Sequence, residues 1–73
     1  MHSKVWLSGL SSEEQKKQLE SRLSNMIGVE AVEVNTESQM VTLTYETPAN
    51  LNTLEKEIYD AGYPVINSYK GER

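Results

Sequence analysis

Gly9-Leu10-Ser11-Ser12-Glu13-Glu14-Gln15 separates two hydrophobic periods. Before it, Lys4-Val5-Trp6-Leu7-Ser8 alternates as a strand does, with Val5 and Leu7 to one side and Trp6 to the other. After it, Leu19, Leu23, Met26 and Ile27 recur on one stripe of a helix, and Gly28 is expected to end that helix as a left-handed cap. The stretch is therefore a strand-to-helix loop floored by a helix N-terminus. Such a floor offers unpaired backbone N–H groups and the positive end of the helix dipole. Ser11 with Glu14, or Ser12 with Gln15, makes a capping box, and Glu13 and Glu14 suit the first turn.

Beyond the helix, Val29, Val32 and Val34 mark a second strand. Their uneven spacing means either that alternation begins near Val32 or that a bulge sits by Glu30. Asn35 to Gln39 is turn chemistry. Met40 to Tyr45 alternates cleanly, with Val41, Leu43 and Tyr45 inward and Met40, Thr42 and Thr44 outward. Pro48, Ala49 and Asn50 form a linker. A second helix is expected from Asn52 to Ala61, capped by Asn52 with Glu55, burying Leu51, Leu54, Ile58 and Ala61, and stopped by Gly62. Tyr63-Pro64-Val65-Ile66 opens a short fourth strand, and the tail from Lys70 to Arg73 is expected to fray.

The order βαββαβ, with right-handed crossovers, predicts an α+β, ferredoxin-like fold: one four-stranded antiparallel sheet with both helices on one face. The chain is expected to form one domain over residues 1–73. In this topology the first strand is central, between the third and fourth. Trp6 should then stand mid-sheet on the open face beside Ile66 and a threonine, with Met40 on the same face. A tryptophan and an isoleucine together form a candidate contact patch.

Composition narrows the function. The chain has no cysteine, which rules out disulfides, zinc–thiolate sites and cysteine nucleophiles. Net charge is −4, and Lys16, Lys17 and Arg22 share their helix with Glu13, Glu14 and Glu20, so no basic stripe for nucleic acid exists. No apolar run approaches a membrane span, and the N-terminus lacks the charged lead and apolar stretch of a signal peptide, so a cytoplasmic location is expected. Enzymatic chemistry is not expected. His2 is the only histidine, and the arginines Arg22 and Arg73 stand mid-helix and at the C-terminus, away from any phosphate-cradling loop.

Spread over nearly the whole chain are Gly9-Leu10, Leu19 and Leu23, Gly28-Val29, Val32 and Val34, Val41-Leu43-Tyr45, and Ala61-Gly62-Tyr63. In order and spacing these resemble the heavy-metal-associated domain family. That family includes copper chaperones, the metal-binding repeats of copper-pumping ATPases and mercury-scavenging proteins. Its Met-x-Cys-x-x-Cys motif falls on Leu10 to Gln15, so Ser12 and Gln15 stand where the resemblance places the cysteines. Soft ions such as Cu(I) and Hg(II) prefer thiolate sulfur, and neither a hydroxyl nor an amide supplies it.

The resemblance therefore implies a degenerate domain, with Leu10, Ser11, Ser12, Glu13, Gln15 and Tyr63 as its interaction surface. A protein partner is expected, such as a metal-transporting ATPase or another domain of this kind, with no nucleic acid and no membrane insertion. The chain itself is expected to be a monomer or weak homodimer. No cofactor is expected beyond weak divalent metal at sites such as His2 or the Glu13–Glu14 pair. The alternatives are a working metal-binding or metal-transport protein using non-cysteine or partner-supplied ligands, and a small-molecule-sensing dimer.

Overall fold

A computed structural model describes residues 1–70. Its elements run β1 (His2–Leu7), α1 (Glu13–Ser24), β2 (Val29–Asn35), β3 (Met40–Tyr45), α2 (Leu51–Asp60) and β4 (Val65–Lys70). The strands form one antiparallel sheet in the order β2-β3-β1-β4, the ferredoxin-like arrangement expected. α1 packs over β2, α2 packs against β4, and the helices touch each other. The face they cover carries Val5, Leu7, Val41, Leu43 and Tyr45, all essentially buried. Leu19 and Leu23 of α1 and Leu54 and Ile58 of α2 close the core from the other side.

Alternation explains β3 completely: every second residue is buried. Of the two readings open for β2, the structure takes the bulge by Glu30, a register shift between Val29 and Ala31. β1 begins earlier than its apolar pattern, at His2, because Ser3 is buried and its Oγ lies 2.6 Å from the Tyr45 hydroxyl. That hydroxyl needs a partner inside the core, and a serine provides one.

Each helix departs from the expectation at one boundary, α1 at its end and α2 at its start. α1 stops at Ser24, not at Gly28. Asn25 takes the C-cap, Met26 N–H turns back to the Leu23 carbonyl, and Ile27 is 80% exposed instead of completing the buried stripe. The chain leaves the helix early because Gly28 must pass close to the β3–α2 connection. A Cβ there would lie 2.3 Å from the Glu46 carbonyl oxygen. α2 starts at Leu51 under Asn50, whose side chain accepts the Thr53 N–H, so Asn50 and not Asn52 is the cap. At the end of the sheet, Lys70 pairs with Ser3 within β4, which corrects the frayed assignment for that residue. Residues 71–73 lie outside the described part. Among the described residues, no helix is long and apolar enough to cross a membrane.

Candidate functional site

The loop between β1 and α1 leaves the sheet at Ser8, turns at Gly9 (φ +90°), and enters the helix at Ser12. Of the two possible caps the structure uses Ser12. Its Oγ accepts the Gln15 N–H at 3.1 Å. Gln15 Oε1 returns the bond, accepting from Ser12 N–H at 3.2 Å and from Ser11 N–H at 2.8 Å, with the Ser11 hydroxyl also donating to it at 3.2 Å. The two side chains at the family's cysteine positions are thus bound to each other's backbone. They occupy the Ser12 and Gln15 N–H groups at the helix start and tie up their own side-chain oxygens.

The surface candidates fall into distinct positions. Ser11, Ser12 and Glu13 are exposed, and Gln15 is half-buried. Leu10 is 3% exposed and packs in the core, so it supports the loop from below and presents no side chain outward. Tyr63 is half-buried next to Gly9: its Cδ1 would lie 3.8 Å from a Cβ added there. Beside Tyr63 an open groove of about 500 Å³ runs along α1 past Lys17, Gln18 and Arg22. Arg22 is engaged by Glu57 across the helix pair.

On the open face, Trp6 is half-buried and shares a groove with Ile66, which is 67% exposed. Trp6 pairs with Met40 on β3 and with Asn67 on β4, so the threonine expected beside it is replaced by methionine and asparagine. A second irregularity, between Trp6 and Leu7 in the β1–β4 pair, leaves Ile66 without a direct partner.

Metal-binding donors are dispersed. His2 Nδ1 lies 3.1 Å from the Thr44 hydroxyl, on the sheet. Among the described residues, no three His, Asp or Glu side chains gather into a group that could hold an ion. The set on the loop, hydroxyls and an amide already committed to backbone partners, does not fit a soft ion. Glu30, at the start of β2, titrates above the ordinary carboxylate range. A hydrogen bond to Glu46, then repulsion by it, raises its pKa, while the chain's amino terminus and His2 oppose this.

Sequence reasoning missed Ser3 and Gln39, both of which act through contacts with residues far along the chain. The Gln39 amide bonds the Leu10 backbone, and the turn residues Asn35 to Gln39 gave no signal of that reach.

Comparison with curated proteins gives no match. Among solved structures, the chain is similar to one described as the CsoZ metallochaperone. The two are 49% identical, the match covers 92% of this chain and 97% of that one, and the TM-score is 0.89. A structure described as the CopZ metallochaperone is 28% identical, with 90% and 100% covered and a TM-score of 0.87. Oxidized MerP from Ralstonia metallidurans CH34, at 22% identity, 90% and 93% coverage and a TM-score of 0.82, shares the fold. The family described as the heavy-metal-associated domain matches residues 4–64, from within β1 to the residue before β4. With that match and the likeness to CsoZ over nearly the full length of both chains, the chain belongs to the heavy-metal-associated domain family.

Proposed function

We propose that the chain is a heavy-metal-associated domain that has given up thiolate ligation and serves as a protein-interaction module in a metal-handling system. The observation that carries this is the reciprocal bonding of Ser12 and Gln15. A ligand pair has become a helix cap, while the scaffold that presents the loop is intact. The similarity to proteins named metallochaperones supports the metal-handling context, copper being the ion that the name of a further similar structure, 25% identical, gives. Its partner is a protein that recognises this scaffold, such as a metal-transporting ATPase or another heavy-metal-associated domain, met through Ser11, Ser12, Glu13, Gln15 and Tyr63. The chain has no resident cofactor and no enzymatic step in this role.

Cu(I) competition tests it. The chain should lose Cu(I) to a bicinchoninate-type chelator, and one equivalent retained under competition would sink the proposal. Ser12→Cys with Gln15→Cys should regain Cu(I), because the helix N-terminus then faces thiolates and lowers their pKa. A folded double variant that binds no better than the parent would show that the loop is misaligned with the family motif.

A further inference from the structure

Gln39 stands at the end of the turn before β3 with a left-handed backbone, φ +55°. Its main chain and side chain both reach the segment that starts the loop. Its carbonyl accepts the Leu7 N–H at 3.0 Å. Its Oε1 accepts the Leu10 N–H at 3.0 Å, and its Nε2 donates to the Leu10 carbonyl. The same Nε2 donates to the Thr36 carbonyl at 2.6 Å, which braces the amide against its own turn. Because a backbone N–H can only donate, Leu10 fixes which end of the amide faces it. One side chain thereby imitates a strand partner for a residue that has left the sheet. Ser8 and Gly9 are strapped between two residues that Gln39 holds.

We infer that Gln39 is the positioning residue of the loop: its braced amide sets where Leu10 stops, and so where Ser11, Ser12 and Glu13 are presented. Gln15 holds Ser11 and Ser12 from the helix side, and Gln39 holds Leu10 from the sheet side. Without Gln39, the partly buried N–H and carbonyl of Leu10 lose their partners, and the nearest replacement is water. The loop would have to open to reach it. The functional meaning of this hold rests on the docking role proposed above; the hold itself does not.

Amide hydrogen exchange read by NMR on the full chain tests it, with Gln39→Gly and Gln39→Glu. Glycine relieves the left-handed backbone while deleting the amide. Glutamate keeps shape and acceptor but has nothing to donate to the Leu10 and Thr36 carbonyls. In both variants, protection at Ser11 and Ser12 should fall roughly tenfold while Leu43 in the core keeps its own. Unchanged protection at Ser11 and Ser12, or a fall shared equally by Leu43, would overturn the assignment. A second arm uses Cu(I) alone as the probe on the Ser12→Cys/Gln15→Cys variant. Adding Gln39→Gly there should weaken Cu(I) roughly tenfold, and equal affinity would also overturn it. If the double-cysteine variant takes up no Cu(I), the loop alignment is what has failed, and the exchange data alone decide on Gln39.

Discussion

Ser12 and Ser11 are neighbours with unequal duties. Ser12→Ala removes the acceptor of the Gln15 N–H and should cost about 1 kcal/mol in urea melts, whereas Ser11→Ala loses only one exposed hydroxyl contact and should stay within about 0.5 kcal/mol. Equal losses would show that the helix is capped in some other way. Gly28 is the opposite case, a residue defined by what surrounds it. With φ +97° and the Glu46 carbonyl 2.3 Å from where a Cβ would stand, Gly28→Ala should cost more than about 2 kcal/mol by thermal or urea melts. A near-neutral Gly28→Ala would mean that the β3–α2 connection yields easily.

Among the elements, β2 carries one carboxylate of a pair on which stability should depend with pH. Glu30 stands at its bulge and shares a hydrogen bond with Glu46, so its folded pKa lies above the ordinary carboxylate value. The fold therefore favours the protonated form. Stability should rise as pH falls through that raised range and drop as pH climbs past it, where both carboxylates ionise and repel. Glu30→Gln should flatten this segment of the stability curve and leave the protein no less stable at neutral pH. Urea melts between mildly acidic and neutral pH read this directly, and an unchanged slope would remove Glu30 as its source.

The elements also show what sequence can carry. β3 was fully legible because period-two alternation reports burial residue by residue. The Ser12 frame was legible as one of two, since a capping box is local chemistry; only packing could choose between them. The end of α1 was not legible, because Leu23 to Ile27 is good helical spacing and the reason to stop lies across the fold at Glu46 and Ala49. Asn50 reads as linker because Asn52 followed by Glu55 is the stronger cap signal, yet it is the Asn50 side chain that reaches the Thr53 N–H. Gln39 was invisible for a related reason: a side-chain amide bonding a backbone 29 residues away leaves no spacing to read.

For the molecule as a whole, the two edges of the sheet differ. β2 is guarded by its bulge and its glutamates, and by Glu20, which takes the outward Val34 N–H at 3.3 Å. β4 has Ile66 and Tyr69 exposed and no acidic residue. Trp6 reports on the open face beside β4. Its half-buried ring should be quenched by acrylamide in dilute protein, and Ile66→Lys should increase that access by opening the shared groove. A Trp6 signal deaf to both would place the ring in the core and shift the β1 register by one residue. The pairing of Ser3 with Lys70 has a practical outcome. At Ser3 and Lys70 the chain enters and leaves the sheet side by side, at the end of β1 remote from Gly9, so a label attached through Lys70→Cys, in a chain without cysteine, stands at the end of the sheet opposite the loop. A sensor surface that captures the protein through that label displays Ser11, Ser12 and Glu13 to whatever flows past.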